Sequence, residues 1–450
     1  MGDLALPYIM PRITDPVREL RKYANFLSAL RRRRLRSERV HHTPVDATVD
    51  LTTTCQLHCP YCVVGNGTMR RQVSLMRPDL YHDILGIIGP NAFIIWYFST
   101  GEPLLHKHFA ELLAYSKHHE VFSVISTNLS LPLSDERIDG LLSCGLGMIS
   151  VSLDGASAES YSRYRKGGCF DLVIENLSRL IQRRAVLGLE HPLIEWRCLR
   201  FRHNQDEEPE VRRLALELNT DLLEFYPGSA PASAPEGTVQ TATKPVGGSP
   251  IDGPALVRGL KRRDSDLHRL LADRPPQFGM PALRPAESRC DWLYLGTMVY
   301  PDASVGPCCV SNDRADDFTE LSFPTTSFET AWNSEPFLRS RDMFVTGKPA
   351  GTICDRCPLP AAQTYQFIQK IRAIVRNAPP WVLKVLSVAP GDFFVDLDDA
   401  LMPQEAGMLR SGAALRALPA LADPQPEIAA DLAGYCPDSP DIRHLIQLVR

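Results

Sequence analysis

Three cysteines stand within eight residues near the start of the chain: Cys55, Cys59 and Cys62. Structural zinc sites and electron-transfer 4Fe-4S clusters use four protein ligands, so three thiols leave one metal position open. An open position on a cluster is a place where another molecule can bind and react. The same three cysteines could also form a zinc knuckle completed by His58 or a distant histidine, or be unrelated buried thiols.

The spacing of these cysteines, C-x3-C-x2-C, resembles the signature of the radical S-adenosylmethionine (radical SAM) enzymes. In that family the open iron of a 4Fe-4S cluster binds S-adenosyl-L-methionine, and reductive cleavage of this cofactor gives a 5'-deoxyadenosyl radical. The resemblance implies that Tyr61, which directly precedes the third cysteine, contacts the adenine. A buried structural tyrosine is the alternative interpretation.

Residues Gly101, Glu102 and Pro103 follow the second expected strand and resemble the glycine-glutamate-proline motif of the family. A glycine lets the backbone approach the methionyl amine, whose positive charge carbonyl and carboxylate oxygens can balance. Thr100 stands where the family often has another glycine, a mild departure from the motif.

Further cofactor contacts are expected from polar residues at or just beyond the ends of the third and fourth strands. The resemblance implies such contacts for these residues: Thr127, Asn128, Ser152 and Asp154. Asp154 could instead only form a turn or cap a helix. Arg165 could pair with a carboxylate through two hydrogen bonds, or could lie at a solvated helix end.

A second group of cysteines lies downstream: Cys290, Cys308, Cys309, Cys354 and Cys357. Adjacent residues of a strand point to opposite faces, so only one of Cys308 and Cys309 can easily join the other three thiols. We expect Cys308, which directly follows a Gly-Pro pair as in similar sequences. The pattern resembles the twitch domain, a shorter relative of the SPASM extension, and implies one auxiliary 4Fe-4S cluster. A structural zinc at the same four thiols is the alternative.

The elements that must position these residues alternate along the chain. Short apolar runs predict six strands, at residues 47–54, 93–99, 121–126, 148–153, 193–201 and 222–225. Helical patterns lie between them at about residues 78–88, 107–118, 134–143, 171–187 and 207–218, and further helices are expected at about 254–274, 328–344 and 361–377. Residues 227–254 are rich in Pro, Ser, Gly, Ala and Thr, which indicates a linker or mobile excursion. The alternation of strands and helices predicts a parallel sheet with right-handed crossovers. The expected fold class is α/β, a partial (β/α)6 TIM-like barrel, as the resemblance also implies. In such barrels the active site lies at the carboxyl ends of the strands.

We expect five segments along the chain. They are a basic helical extension (1–46), the radical SAM barrel (47–227), a linker and helix (228–289), a small α+β twitch domain (290–358) and a mostly helical C-terminal extension (359–450). Arginines in the first segment cover every face of a predicted helix at about residues 15–37, which indicates a solvated surface. That helix could also bind a carrier protein, an acidic leader peptide or RNA, but no aromatic residues interleave its arginines.

Composition limits the protein's class and compartment. The chain has 450 residues, of which 44% are hydrophobic, and a net charge of -4, which gives no general case for nucleic acid. An apolar run of about 18 residues or a signal peptide is not evident, so we expect a cytoplasmic protein without a membrane partner. Twelve cysteines in a reducing compartment favour metal ligation over disulfides.

The fifth predicted strand carries the candidate catalytic residues. Alternation places Glu195 and Arg197 on one face and Trp196 and Cys198 on the other. We expect the first pair to face the cavity, where either residue could take a substrate proton; alternatively they pair within a polar barrel layer. With Cys198 turned away, oxidation is favoured over an epimerisation that returns a hydrogen from a thiol. Cys169 is a reserve hydrogen donor.

Together these features predict a radical SAM enzyme that dehydrogenates a small polar substrate, such as a sugar or aminocyclitol, with the auxiliary cluster as electron acceptor. This resembles the radical SAM twitch dehydrogenases that act on 2-deoxy-scyllo-inosamine. A flavodoxin- or ferredoxin-type reductant would be required. The alternatives are an epimerase, a maturase of a ribosomally made peptide, and a non-catalytic metal-cluster scaffold that recruits a partner through its arginine-rich helix. A peptide or carrier protein is therefore the second class of partner.

Overall fold

The computed structural model describes residues 10–11, 13–228, 239–244, 290–323, 327–357, 370–371, 373–375, 377–379, 381–382, 420–421, 425–434 and 440–450. Its strands are β1 (Asp46–Val49), β2 (Ile94–Trp96), β3 (Phe122–Thr127), β4 (Leu146–Ser152), β5 (Leu193–Arg200), β6 (Leu222–Pro227), β7 (Gly296–Val299), β8 (Ser304–Gly306) and β9 (Thr319–Glu320). They form one sheet in the order β6-β5-β4-β3-β2-β1-β7-β8-β9.

Neighbouring strands from β6 to β7 are parallel, whereas β8 and β9 each run antiparallel to the strand before them. The α-helices are α1 (Pro16–Arg34), α2 (Pro78–Ile88), α3 (Phe109–Ser116), α4 (Asp135–Ser143), α5 (Ala158–Tyr164), α6 (Phe170–Val186), α7 (Glu208–Leu218), α8 (Trp292–Leu295), α9 (Phe328–Trp332), α10 (Glu335–Thr346), α11 (Pro426–Ala433) and α12 (Pro440–Val449). The first six strands and the helices between them are the predicted α/β partial barrel.

Alternating side chains give the barrel two different faces. Apolar residues of the central strands, such as Ile95, Ile125 and Val151, are fully buried in the main core. Polar residues occupy the other set of positions, including Ser150 and Glu195, which are partners in the register of β4 and β5. The sheet therefore encloses a polar lumen while its outer face packs against apolar helix surfaces.

Two helical features differ from the sequence-based expectation. Helix α5 was not predicted; Ser157 caps it by accepting a hydrogen bond from Ser160 N at 3.2 Å. A helix predicted over residues 328–344 is divided into α9 and α10 at Asn333, because Ser334 is in an extended conformation and Pro336 occupies the first turn of α10. Short helices of this kind have too few turns to show a periodic pattern.

The solvated surface predicted for α1 is wrong. Tyr23 and Leu27 are buried on this helix, and Arg33 is buried in an ion pair with Asp291, with 2.5 Å between Nε and Oδ1. Arginines spread over every face concealed an apolar stripe, Leu20-Tyr23-Leu27-Leu30, that has helical spacing and packs inward.

The second cysteine segment continues the barrel sheet, because β7 pairs in parallel with β1. The five-segment division of the chain therefore remains a prediction. A helix expected at residues 254–274 lies outside the described residues, as does most of the one expected at 361–377. In the described part of the chain, no helix is both long and apolar enough to cross a membrane.

Candidate active site

The three clustered cysteines lie in the loop that follows β1, at the carboxyl edge of the sheet. Burial, with smaller contributions from nearby Glu102, Cys59 and Cys62, raises the pKa of the Cys55 thiol to about 11. A metal ion reverses such a shift, because a coordinating thiol is deprotonated by the metal it binds. The three thiols thus have the donor chemistry of a cluster site, and their mutual influence shows that they lie near one another.

Gly101 packs directly against the chain segment that leads into the cysteine loop. A Cβ atom at this position would collide with the carbonyl oxygen of Thr52 and lie 2.7 Å from that of Thr54. The backbone N–H of Glu102 donates to the same Thr54 oxygen at 2.7 Å. Only a glycine permits this approach, so the motif is fixed beside the cysteines as the resemblance implied.

The carboxylate of Glu102 holds the end of β3. It is buried and accepts hydrogen bonds from Thr127 Oγ1 and Asn128 N, both at 2.7 Å, and from Leu104 N at 3.1 Å. Burial raises the pKa of Glu102, and these donors oppose the rise. Pro103 begins the short 3-10 turn that Glu102 caps. Because Thr127 and Glu102 satisfy each other, we infer that both position the cofactor site rather than bind the cofactor through these atoms.

Asn128 and Ser152 are differently placed. The side-chain amide of Asn128 lies 3.6 Å from Cys55 Sγ, and it also exchanges hydrogen bonds with Gln56. Ser152 Oγ lies 3.3 Å from Ser126 Oγ at the lumen side of β3 and β4. These two residues remain our candidates for direct cofactor contacts.

Asp154 and Arg165 form a buried ion pair beside the cysteine loop. Arg165 Nε donates to Asp154 Oδ2 at 2.6 Å, and Leu199 N donates to Asp154 Oδ1 at 2.7 Å. Burial raises the pKa of the Cys59 thiol, and the nearby Arg165 guanidinium opposes that rise. Because Asp154 has no exposed surface, we infer that it acts through Arg165 and does not contact the cofactor itself. Arg165 is therefore not at a solvated helix end.

A short segment, residues 239–244, covers part of the cysteine loop. Tyr61 donates from its hydroxyl to the carbonyl oxygen of Val239 at 2.5 Å, and Val239 packs against Leu57 and Cys59. Thr241 bridges Phe201 in antiparallel orientation. The composition of residues 227–254 predicted a linker or mobile excursion, whereas this described part of it packs on the site. Apart from residues 227 and 228, the rest of the 227–254 segment lies outside the described residues.

The candidate catalytic residues of β5 are divided as the alternation predicted. Glu195 is buried close to Glu224 of β6, and the guanidinium of Arg197 lies 4.6 Å from the ring centroid of Tyr226. Cys198 is buried on the opposite face, where burial raises the thiol pKa and Asp154 raises it further. Cys169 is exposed at the start of α6. Their catalytic roles remain predictions.

Four thiols of the second group share a cavity of about 410 Å³. Its lining includes Cys290, Cys308, Cys354 and Cys357, but not Cys309. The volume is more than ten times the roughly 30 Å³ that one water molecule occupies in the liquid, so the space suits a cluster better than one ion. Within the described ranges, no group of three or more His, Cys, Asp or Glu side chains is arranged to hold a single metal ion. We therefore propose a second cluster at these four thiols.

Sequence reasoning missed residues that support the site from a distance. Glu224 and Tyr226 lie on β6 beside Glu195 and Arg197. Arg71 follows the cysteine loop and is buried against the segment after Cys308. The alternation of β6 could have indicated Glu224, but no local pattern distinguishes Arg71 from the exposed Arg70 beside it.

A three-thiol loop beyond the first strand of a partial barrel, with a Gly-Glu-Pro turn packed against it, defines a class of radical-generating iron-sulfur enzyme. Residues 49–187 match the family model described as "Radical SAM superfamily". These residues therefore form a radical SAM domain. A 4Fe-4S cluster and S-adenosylmethionine, when bound, supply the radical that starts the reaction. Cys55, Cys59 and Cys62 would hold the cluster.

Several characterised proteins resemble the chain. It is 26% identical over 307 residues to the PqqA peptide cyclase of Rhodopseudomonas palustris, a match that covers 66% of this chain and 76% of the relative. It is 29% identical over 143 residues to the mycofactocin maturase MftC of Mycolicibacterium smegmatis, covering 32% of this chain and 36% of the relative. The crystal structure of Streptococcus suis SuiB bound to S-adenosylmethionine matches with a TM-score of 0.46 and 13% identity, covering 67% of this chain and 68% of SuiB.

Proposed function

We propose that this radical SAM enzyme modifies a peptide. The observation that carries the proposal is the similarity to the PqqA peptide cyclase, which extends over 66% of this chain and 76% of the relative. A match of this extent reaches well beyond the 139 residues of the radical SAM domain itself, 49–187. The peptide alternative therefore ranks above the small-molecule dehydrogenation that the sequence alone placed first.

The site offers what oxidative peptide modification requires. Asn128 and Ser152 lie beside the cysteine loop and lumen, where we place the cofactor. A second cluster at the four-thiol cavity would give an electron acceptor within the same sheet, because β7 joins β1. The lumen carries acidic groups on β5 and β6 that can take a proton. These features support oxidation of the peptide over epimerisation, since Cys198 is turned away from the lumen.

The experiment uses the whole chain with its clusters reconstituted under anaerobic conditions. Short peptides encoded beside its gene are incubated with it, S-adenosylmethionine and dithionite, and the products are analysed by mass spectrometry. We expect 5'-deoxyadenosine together with a peptide that has lost hydrogen. Cys55→Ala is the control, and it should give neither product.

An aminocyclitol or sugar mixture is tested in parallel under the same conditions. Oxidation of one of these small molecules, with all peptides unchanged, would overturn the peptide assignment and restore small-molecule dehydrogenation. Formation of 5'-deoxyadenosine without a substrate would still report that the radical SAM site is active.

A further inference from the structure

Two glutamates meet inside the barrel lumen, one of which the sequence did not single out. Glu195 lies on β5 and Glu224 lies on the neighbouring strand β6. In the register of these two strands, Glu195 is opposite Leu222 and Arg197 is opposite Glu224. Their carboxyl groups are therefore diagonal neighbours on one face of the sheet. Glu195 is 1% exposed and Glu224 is 6% exposed. Water cannot screen the two groups at this depth.

One carboxylate oxygen of the glutamate pair, Glu195 Oε2, has no hydrogen-bond donor among the described residues. Tyr226 donates from its hydroxyl to Glu224 Oε2 at 2.6 Å. Glu195 Oε2 and the hydroxyl of its register partner Ser150 are buried, and no hydrogen-bond partner reaches either atom in the described part of the chain. An unsatisfied buried carboxylate oxygen is costly, and a proton shared with the neighbouring carboxyl group supplies the missing donor.

The charges agree with a single shared proton. Burial, and then the charge of Glu195, raise the pKa of Glu224 to about 8. Two carboxylates this close repel each other, which favours a proton on one of them. Among the described residues, Arg197 is the only cationic side chain that the strand register places in this part of the lumen. Its charge offsets the one negative charge that remains on the glutamate pair.

We propose that Glu195 and Glu224 share one proton and together accept the proton that the peptide substrate loses. In this step a substrate X–H bond breaks, its two bonding electrons stay on X, its proton moves to the pair, and the pair changes from singly to doubly protonated. Tyr226, which is half-buried between Glu224 and the mouth of the barrel, relays the proton. This inference rests on the proposed function for its substrate, but the shared proton itself does not.

The pair lies within reach of the position proposed for the cofactor. Ser152 at the end of β4 is the register partner of Arg197, which in turn is the register partner of Glu224. Neighbouring strands are about 4.8 Å apart, so Glu224 is about two strand spacings, roughly 10 Å, from Ser152. A substrate held between them would touch both the cofactor and the acceptor of its proton.

The pair cannot be explained as a device for stability. Glu224 keeps a proton in the folded protein that it releases in the unfolded chain, where a glutamate has a pKa near 4.5. Stability is therefore full below about pH 4.5 and falls as the pH rises toward about 8. A buried pair that weakens the fold at neutral pH is better explained by its chemistry.

The first test detects the shared proton and needs no substrate. Thermal unfolding of the reconstituted protein is followed from pH 5 to pH 8 for the wild type, Glu195→Gln, Glu224→Gln and the exposed control Glu217→Gln. We expect the midpoint of Glu224→Gln to rise relative to wild type as the pH increases, because an amide carries no removable proton. A constant offset between the two proteins over this range would overturn the shared proton.

The second test measures whether the glutamate pair accepts the substrate proton in the peptide reaction. With a deuterated substrate, Glu224→Gln should still transfer deuterium to 5'-deoxyadenosine, but product formation should fall by about a hundredfold, the usual effect of losing a general base. The wild-type pH-rate profile should also lose one limb in this variant. Unchanged product formation and an unchanged profile would overturn the catalytic role. If no peptide reacts with wild type, the proposed function has failed, while the thermal titration still decides the shared proton.

Discussion

Cys308 and Cys309 are neighbours after β8, but only Cys308 lines the four-thiol cavity. Both residues lie in the bend and turn that follow β8, outside any strand, so the strand alternation expected from the sequence is not what separates them. The sequence selected Cys308 because it directly follows the Gly306-Pro307 pair, and the cavity supports that choice. Cys308 is therefore the better candidate for the fourth ligand of the second cluster.

We predict that Cys308→Ala loses the second cluster and that Cys309→Ala keeps it. Iron analysis of the reconstituted proteins should give about four irons per chain in the first variant and about eight in the second, counting one 4Fe-4S cluster per thiol set. Near-equal iron contents in the two variants, or loss only in Cys309→Ala, would reverse the assignment.

The buried ion pair of Asp154 and Arg165 allows a test of the positioning role that we infer for Asp154 at the first cluster site. Asp154→Asn removes the carboxylate and leaves the Arg165 guanidinium buried without its counter-ion, which costs about 3 to 5 kcal/mol when a buried pair is broken. We expect a lower midpoint of thermal unfolding and a lower iron content, because the Arg165 guanidinium also lies near Cys59.

The matched control is Glu159→Gln, which breaks the ion pair of Glu159 with Arg163 on α5. Those side chains are 79% and 55% exposed, so the expected change is under about 0.5 kcal/mol. If Asp154→Asn were as mild as this control, Asp154 would have no positioning role.

The sequence could place the polar residues at the strand ends but not say which of their atoms are already bonded. Glu102 and Thr127 look like cofactor ligands in the sequence, yet they bond to each other across two strand ends. Asn128, one residue further, is directed to Cys55 instead. Such choices depend on residues far apart in the chain, and only the folded arrangement decides them.

At the scale of elements, the cysteine loop is held from two sides. A Cβ atom at Gly167 would lie 3.6 Å from the backbone oxygen of Gln56, and the carbonyl oxygen of Lys166 accepts a hydrogen bond from His58 N at 2.8 Å. On the other side, Arg71 is buried in an ion pair with Asp317 and lies over the ring of Tyr300, 3.4 Å from its centroid. The loop that would carry the first cluster is thus anchored to the segment that follows Cys308.

We predict that Arg71→Met destabilises the protein by about 1 to 3 kcal/mol, because the buried Asp317 carboxylate loses its closest donors and keeps only Ser311 Oγ and the 41% exposed Arg314. The side chains of Arg71 and Asp317 are only 1% exposed. The expected result is a lower unfolding midpoint and weaker retention of iron at both thiol sets. Arg70→Met is the matched control, because Arg70 is 81% exposed and its pair with Asp313 is worth at most about 1 kcal/mol.

A second variant separates the missing cation from the missing packing. Arg71→Met combined with Asp317→Leu replaces the buried pair by apolar groups and should recover most of the stability. Equal losses in Arg71→Met and Arg70→Met would show that the contact does not anchor the loop.

Elements with a strong repeating pattern were the predictable ones. Strands β1 to β6 and helices α2, α6 and α7 lie within a few residues of their predicted positions. The joining of β7 to β1 could not be predicted, because no local signal pairs strands almost 250 residues apart. The burial of α1 was also hidden, since its partners, such as Phe93 and Asp291, lie far from it in the sequence.

At the scale of the whole molecule, the two ends of the chain pack together. Helix α1 lies against α8 and α11. Asp431 of α11 accepts from Ser28 Oγ at 2.7 Å and pairs with Arg32 of α1, with 2.6 Å between the closest atoms. The arginine-rich helix therefore binds the protein's own C-terminal region, which removes part of the surface once expected to recruit a partner.

We predict that Asp431→Ala loosens this layer without affecting the radical SAM site. Ser28 Oγ is buried and loses its acceptor, and Arg32 loses its carboxylate, for a combined cost of about 2 kcal/mol. The unfolding midpoint should fall, whereas Glu427→Gln, at an exposed position of the same helix, should leave it nearly unchanged. At a temperature where both variants are folded, formation of 5'-deoxyadenosine should match wild type, because none of these residues contacts the cysteine loop. A slower rate in Asp431→Ala under those conditions would mean that the packing of the chain ends is coupled to the active site.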